Sequence, residues 1–327
     1  MPIYPEISSE AFRHPLDQQS EAALRSLPGF DLLARKFVEF VYERPQFVYL
    51  MANGIQVGPR QYSTLYQIFR DCVRSLDMQP EPTLFVAQNP QANSYALGEE
   101  HPCIVINTGL LDLLDDAGLK TVIAHELGHI KCGHTTLIQM AIWAMNTAAF
   151  IGEMTFGLGN MISSGLIYAF YEWRRKAELS ADRAALLVTD DVQLVMTTMM
   201  KIAGGSHRLG HEISLLEFER QGDRYQQLDE DGLNQIYKFL IYNGGQGMMM
   251  SHPFAVERLH YLKEWAASEE YQQIKGGDYP HASAEGAVEV PVDAAPQPNP
   301  KASSEVERLR RELQDLQQEI DHLKRSR

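Results

Sequence analysis

The chain has 327 residues, with 29 lysines and arginines against 43 aspartates and glutamates, and a formal net charge of -14 at pH 7. Nucleic acids and anionic membranes bind basic surfaces, so this charge argues against both as main partners. With 44% hydrophobic residues the chain can form a folded core. Its three cysteines have unrelated spacings and predict free thiols, and the first residues do not form a secretory signal. We therefore expect a cytoplasmic protein.

Residues 1–77 are predicted to form a helical N-terminal layer. Apolar residues recur at helical spacing from Ser20 onwards, with Pro45 and Gly54 as interruptions. The helical spacing of apolar residues then ends. The apolar runs 84–86 and 104–106 are short, rich in β-forming residues and bounded by Asn, Pro and Gly. These runs predict two or three strands directly before the next helical segment.

An unusually apolar stretch follows between Thr135 and Tyr171. A membrane-spanning helix needs about 20 mostly apolar residues, and polar side chains such as Gln139, Asn146 and Glu153 interrupt this stretch. The interruptions favour a buried helical hairpin. Insertion into a membrane or attachment to its surface is the alternative, which would make the protein membrane-associated.

The C-terminal part of the chain predicts a flexible linker, residues 271–303, and a short coiled coil, residues 304–327. The linker is rich in Pro, Ala and Gly and has no periodic apolar face. Apolar residues of the tail alternate spacings of three and four, as in a coiled-coil seam: Val306, Leu309, Leu313, Leu316, Ile320 and Leu323. The tail predicts a homo-oligomer or a contact with a helix of another protein.

The stretch "TVIAHELGHIKCGHT" contains the chemistry-bearing motif of the chain. His125 and His129 are four residues apart, so on a helix their imidazoles lie on one face and point towards one place. Glu126 lies beside them, where its carboxylate can accept a proton from a zinc-bound water. The motif predicts one zinc ion per chain and peptide-bond hydrolysis. A surface helix with a histidine pair is the alternative.

His134 is a candidate for the third ligand. The pattern H-E-x-x-H-x-x-G-x-x-H requires glycine where Cys132 stands and histidine where Thr135 stands, so the register of His134 fails. A turn at Gly133 could bring the side chain back towards the metal. A position beside the ligands or on the surface is the simpler interpretation.

The segment "WRRKAELSADRAALLVT" offers a carboxylate on another helix. Glu178 and Asp182 are four residues apart and share a face, so Glu178 could bind the metal while Asp182 accepts a hydrogen bond from His125. The alternative is an exposed helix whose acidic residues pair with the neighbouring cations of residues 174–176.

"HELGHIKCGH" followed by "RKAELSADRAALL" resembles the HtpX-like gluzincin zinc metallopeptidases, whose relatives include the CAAX prenyl protease and the mitochondrial Oma-type protease. The resemblance covers about Pro82 to Leu262. It implies a zincin-like catalytic domain with a small edge sheet, assigned to residues 78–270, and Glu178 as the third zinc ligand. The predicted fold is therefore α+β and mostly helical.

The same resemblance assigns substrate contacts and two further site residues. In "NSYALG" it implies an edge strand that pairs with substrate and contains Asn93, Ser94, Tyr95 and Ala96. In "SHPFAVERL" it implies that His252 and Arg258 assist near the oxyanion. The Gly- and Met-rich residues before His252 are typical of a loop that could close over substrate. A core histidine that caps the following helix is the alternative.

The leading hypothesis is a zinc metalloendopeptidase that hydrolyses polypeptide substrates, with protein quality control as a candidate role. The alternative is a zinc-stabilised chaperone-like or binding module without peptidase activity, in which Cys132 could complete a closed structural site. A third interpretation is membrane-integral processing of prenylated proteins. The resembling membrane branches have transmembrane helices before the first motif, whereas nothing before His125 here is long and apolar enough. A peripheral membrane contact is therefore the strongest membrane association expected.

Overall fold

The computed structural model describes residues 2–27, 30, 34, 43–99, 101–140, 158–227 and 255–282. Over these residues the protein is mostly helical with one small mixed sheet, which confirms the predicted α+β class. The named helices and strands, in chain order, are α1 (Pro15–Arg25), α2 (Glu43–Asn53), β1 (Ile55–Gln56), α3 (Ser63–Ser75), β2 (Thr83–Ala87), β3 (Ser94–Leu97), β4 (Cys103–Asn107), α4 (Thr108–Leu113), α5 (Asp116–Lys131), α6 (Leu158–Thr189), α7 (Val192–Gly204), α8 (Leu215–Gln227), α9 (Ala255–Ala266) and α10 (Glu269–Lys275). Residues 134–140 are also helical.

The sheet has the strand order β1-β2-β4-β3. β2 runs parallel to β4, with Val86 opposite Ile106, and β3 runs antiparallel to β4, with Ser94 opposite Ile106. Every residue of β4 is buried, as expected for a central strand rich in β-branched side chains. β3 is the outermost strand of the described sheet and packs against α5. An edge strand therefore lies beside the helix that carries the histidine motif.

Helix α5 crosses α6 at Gly128, a residue without a side chain. A Cβ atom at Gly128 would lie 2.7 Å from Ala184 Cβ and 3.0 Å from Ala181 Cα, which is closer than packed carbon atoms lie. The small residues on both helices thus permit a close approach. Apolar side chains from α3, the sheet, α5, α6 and α7 form the main core around this crossing. The crossing fixes the distance between the side chains that α5 and α6 present to each other.

The N-terminal segment packs against the same core. Tyr4 N donates to Ser75 O and Ser8 N donates to Pro280 O, each at 2.9 Å. Helix α1 lies against α6, and its Asp17 side chain is fully buried. The predicted helical region 1–77 also contains strand β1, which pairs with β2. Two residues are too few to give a periodic signal in the sequence.

The described residues belong to one compact unit, which ends at residue 282. Residues 271–275, assigned above to the linker, instead belong to α10. Tyr271 and Ile274 are one helical turn apart and both are buried, and the Tyr271 ring packs 5.0 Å from the Trp265 ring, so two apolar contacts dock this short helix. The rest of the predicted linker and the predicted coiled coil fall outside the described residues.

Among the described residues, none of the helices combines the length and the apolar character needed to cross a bilayer. The predicted apolar hairpin between Thr135 and Tyr171 is described only in part, since residues 141–157 fall outside the described ranges. Residues 134–140 and α6 provide the flanking helical segments. The choice between a buried hairpin and a membrane contact stays a prediction.

Candidate metal centre and active site

Three predicted metal ligands lie together at the α5–α6 crossing. The Nε2 atoms of His125 and His129 are 3.2 Å apart, and they lie 3.4 Å and 3.5 Å from the Glu178 carboxylate oxygens. One ligand atom from each residue falls within 4.8 Å of the others, and all three residues are buried. Two imidazole nitrogens and one carboxylate form a donor set that suits zinc. The structure thus brings together the three residues predicted from the sequence.

Local sequence explains why α5 presents the two histidines. The Asp115 side chain accepts a hydrogen bond from Gly118 N at 2.9 Å and caps the helix start. The helix ends at Lys131, and Gly133 follows with φ of +70°, a left-handed conformation that glycine adopts without strain. The chain then turns back at Gly133 into the helical residues 134–140.

A carboxylate and a guanidinium lie behind His125. Asp182 Oδ1 is 3.0 Å from His125 Nδ1, the ring nitrogen that does not face Glu178. Arg258 donates to both Asp182 oxygens, at 2.7 Å and 2.5 Å, and its Nη1 lies 3.0 Å from Glu178 Oε2. The predicted contact between Asp182 and His125 is present, and a carboxylate at this position can orient the ring. The cation that pairs with both acids lies on α9 rather than at residues 174–176, which corrects the alternative of an exposed, locally paired helix.

Arg258 was assigned to the oxyanion by resemblance, and its contacts in the structure indicate an additional, different role. The guanidinium is buried and bridges the two carboxylates of α6. Bidentate pairing with Asp182 restricts both side chains to one orientation. The oxyanion role of Arg258 stays a prediction, and His252 falls outside the described residues.

His129 is backed by a second chain of contacts. Its Nδ1 atom lies 3.0 Å from Nδ1 of His134, and His134 Nε2 lies 3.0 Å from Asp17 Oδ2. The turn at Gly133 places His134 beside the ligand histidine, although its sequence register fails as a ligand pattern. Asp17 was not identified from the sequence, because it is 117 residues from His134 and belongs to no motif. Within the described residues, the metal-ligand cluster does not include His134.

The buried Asp17 carboxylate accepts hydrogen bonds from four groups, one of which is His134. Ser180 Oγ donates at 2.7 Å, Arg13 Nε at 3.0 Å and Trp173 Nε1 at 3.1 Å. Burial alone would raise the pKa of Asp17, but the hydrogen bonds from His134 and Arg13 and the positive charge of Arg13 hold it well below its ordinary value. Asp17 is therefore a carboxylate that joins α1 to α6 and to the histidine pair.

The two ligand histidines differ in their proton affinity. Burial lowers the pKa of both rings, but at His125 the hydrogen bonds and charges of Asp182 and Glu178 outweigh burial and raise the pKa to about 9. At His129 burial outweighs the Glu178 contribution, and the pKa falls to about 4. Burial opposes ionisation of Asp182, yet Arg258 keeps the pKa of this carboxyl below its ordinary value. The two carboxylates thus favour the protonated form of His125, whereas burial favours the neutral form of His129.

The predicted general base lies against the predicted substrate strand. Ser94 Oγ donates to Glu126 Oε1 at 2.6 Å, and both side chains are buried. Strand β3 contains Ser94, Tyr95 and Ala96, and Asn93 directly precedes it. Their backbone lies at the edge of the described sheet, next to α5. The structure thus connects the edge strand to Glu126 on the helix that carries the two ligand histidines.

A cavity of about 290 Å³ opens beside His125. Its wall is mainly apolar and comes from helices α4, α5, α6, α7 and α9, with residues 91–94 at the start of the edge strand on the remaining side. Its largest apolar lining residues are Leu110, Val122, Val195, Met199 and Ile202. A space of this size next to the ligand cluster can accept one amino-acid side chain.

Cys132, the candidate fourth ligand of a closed structural site, is not a member of the metal-ligand cluster found in the described part of the chain. Its thiol is buried, and burial raises its pKa far above the ordinary value. A protonated thiol is a poor ligand. The described donor set is therefore a set of three protein ligands, which is typical of catalytic zinc sites.

Comparisons with known proteins agree with these features. The model of Peptidase family M48 matches residues 59–266. The chain is 31% identical over 275 residues to the plastoglobule-localized metallopeptidase 48, chloroplastic, of Arabidopsis thaliana, covering 83% of this chain and 77% of the relative. It is 24% identical over 234 residues to a protease HtpX homolog of Moorella thermoacetica, covering 64% and 74%. A protease HtpX homolog of Sulfurovum is 42% identical over 98 residues, 29% of this chain and 34% of that protein.

Proposed function

The chain belongs to peptidase family M48 and is a metallopeptidase, and we propose that it is a zinc-dependent endopeptidase with Glu126 as its general base. The proposal rests on the cluster of His125, His129 and Glu178. Glu126 lies on the same helix, α5, as the two histidines. A zincin-like arrangement of the catalytic domain is part of the same proposal.

The donor set fits zinc as a resident metal. Two imidazoles and one carboxylate are typical protein ligands of a catalytic zinc site, which keeps one position open. The contact with Asp182 orients the His125 ring so that its Nε2 atom faces the cluster. When bound, zinc would supply a Lewis acid that polarises the peptide carbonyl and lowers the pKa of water.

Glu126 is assigned the proton transfers. As the oxygen of the attacking water bonds to the carbonyl carbon, Glu126 accepts a proton from that water. It returns the proton to the amide nitrogen as the C–N bond breaks, so that a carboxylic acid and an amine leave the site. The hydrogen bond from Ser94 Oγ fixes Glu126 Oε1 during these transfers. We assign oxyanion stabilisation to His252, with Arg258 holding Glu178 and Asp182 in place.

The substrate is proposed to be an extended polypeptide. It would add as a strand to the edge of β3, with backbone contacts along Asn93, Ser94, Tyr95 and Ala96. Tyr95 is partly exposed on this strand, whereas Ser94 is turned inward towards Glu126. The cavity beside His125 would accept an apolar side chain near the cleaved bond. Backbone pairing is largely independent of side chains, so this cavity would supply most of the sequence preference.

Unfolded proteins are the proposed substrates in a quality-control role, because an edge strand pairs only with an extended chain. The test uses casein as an unfolded substrate, with and without a metal chelator. We expect chelator-sensitive cleavage that Glu126→Gln lowers by about 100- to 10,000-fold while zinc content is unchanged. Glu217→Gln, on the exposed side of α8, is the matched control and retains activity. Parental activity in Glu126→Gln would contradict the mechanism, and zinc without any cleavage would favour a chaperone-like module.

The predicted partners and location need separate measurements. We propose that residues 304–327 mediate self-association, with a helix of another protein as the other outcome. Deletion of residues after Lys301 is expected to lower the sedimentation mass at high concentration and to leave casein cleavage intact. For the cytoplasmic location with peripheral membrane contact, carbonate washing should release the protein from membranes. Retention after carbonate would contradict a peripheral contact.

A further inference from the structure

The N-terminal segment reaches the metal-ligand cluster through His134. We propose that Asp17 is a positioning residue that acts through His134 to hold His129 in the orientation of a metal ligand. Asp17 lies in α1, outside the matched family region 59–266. The proposal rests on the proposed function in one respect, since it takes His129 as a ligand. It extends the metal centre to a part of the chain with no recognised motif.

His129, His134 and Asp17 form a hydrogen-bonded relay, and the contacts of the ring nitrogens determine which atoms in it carry protons. His129 directs Nε2 towards Glu178 and His125, so a metal would bind that atom and the proton of the neutral ring lies on Nδ1. That Nδ1–H faces His134 Nδ1 at 3.0 Å, which must then be the acceptor. His134 consequently carries its own proton on Nε2 and donates it to Asp17 Oδ2 at 3.0 Å.

The Asp17 end of the relay is rigid and acts only as a hydrogen-bond acceptor. Asp17 is fully buried and also accepts from Ser180, Trp173 and Arg13, so its carboxylate cannot turn away without breaking several hydrogen bonds. An ionised carboxylate only accepts hydrogen bonds. It therefore selects the Nε2–H form of His134, which leaves the Nδ1 lone pair for His129. His134 itself is fully buried, so its ring is held by the side chains packed around it.

The two ligand histidines are supported in parallel ways. His125 is backed directly by Asp182, which pairs with Arg258. His129 is backed by His134 and then by Asp17, which pairs with Arg13. The second relay is one residue longer, so its carboxylate can come from a distant helix. The competing explanation is that Asp17 serves only to attach α1 to α6.

Metal affinity separates these explanations. The full-length chain is prepared as Asp17→Asn, His134→Leu, His134→Gln and the Asp17→Asn/His134→Leu double variant. Zinc affinity is measured by competition with a chromophoric chelator, and the free energy of unfolding of each metal-free protein is measured in urea. Asp190→Asn is the matched control, because Asp190 also accepts from a distant residue, Tyr271, but lies outside the metal-ligand cluster.

We expect His134→Leu to weaken zinc binding by about tenfold or more and Asp17→Asn by a smaller factor. His134→Gln keeps an oxygen acceptor for His129 and should retain more affinity than His134→Leu. The double variant should bind zinc no more weakly than His134→Leu alone, because both changes interrupt one relay. Asp190→Asn should lower stability without changing zinc affinity.

The proposal is overturned if the Asp17 and His134 variants lose stability but bind zinc within twofold of the parent, or if the two losses of affinity simply add. These results concern the inference alone, provided that the parent binds zinc and His125→Ala abolishes that binding. A parent that binds no zinc at this site would overturn the proposed function and the positioning role together.

Discussion

Asp182 Oδ1 lies 3.0 Å from Nδ1 of His125, while Nε2 of the same ring faces Glu178. The carboxylate thus orients a proposed ligand and at the same time neutralises the buried Arg258. We expect Asp182→Asn to weaken zinc binding by about 10- to 100-fold. Removing one partner of a buried ion pair should also lower the free energy of unfolding by about 3–5 kcal/mol. Chelator competition and urea unfolding measure the two effects separately, and parental zinc affinity would contradict the orienting role.

The close approach of α5 and α6 should be sensitive to a single methyl group. A Cβ atom at Gly128 would lie 2.7 Å from Ala184 Cβ, so Gly128→Ala must separate the helices that carry His129 and Glu178. We expect a loss of about 1–3 kcal/mol in stability from overpacking, together with weaker zinc binding. Gly204→Ala is the control, because nothing lies within 4 Å of a Cβ atom built there. Equal behaviour of the two variants would show that the crossing tolerates expansion.

The histidine motif and its helix were predictable because their information is local. The spacing of His125 and His129, the Asp115 cap and the Gly133 stop all lie within one short segment. The i, i+4 spacing likewise placed Glu178 and Asp182 on one face, although the resemblance was needed to select Glu178 as ligand. These features depend on helix geometry, which a sequence pattern describes directly.

The supporting contacts were less predictable because they depend on packing between distant segments. Arg258 is 76 residues from Asp182, and Asp17 is 163 residues from Ser180, so no periodic pattern connects either pair. His134 illustrates the limit, since its register excluded one ligand pattern but could not give its side-chain position. That position depends on the left-handed turn at Gly133 and on the contact with the buried Asp17 of α1. Strand β1 was missed because two residues form no pattern.

Zinc affinity should depend on pH through His125. Metals bind the neutral imidazole, and in the metal-free protein Asp182 and Glu178 overcome the effect of burial and raise the His125 pKa to about 9. Below pH 9 the metal must therefore displace a proton, whereas His129, with a pKa of about 4, is already neutral. We expect affinity to rise by about tenfold per pH unit between pH 6 and 8 and to level off near pH 9. Cobalt titrations in non-coordinating buffers measure this slope.

The control for the pH dependence is Asp182→Asn. Loss of a carboxylate that raises the His125 pKa should move the levelling point to lower pH. The zinc affinity of this variant is also lower at high pH, where His125 is neutral. The effect on the His125 pKa is therefore read from how affinity changes with pH, and not from the affinity at one pH. An affinity that does not change between pH 6 and 8 in the parent would show that no proton leaves the site on metal binding.

The cavity beside His125 should determine which side chain is preferred near the cleaved bond. Met199 lines this cavity, whereas Met196 on the same helix is buried in the core and does not line it. Both substitutions to alanine should lower stability by about 2–5 kcal/mol, but only Met199→Ala enlarges the cavity. For peptides that differ at one position, we expect Met199→Ala to raise the kcat/KM ratio of phenylalanine over valine by about tenfold, and Met196→Ala to leave it unchanged. Cleavage of a peptide library, read by mass spectrometry, identifies the position concerned, and equal shifts in both variants would assign the preference to another part of the site.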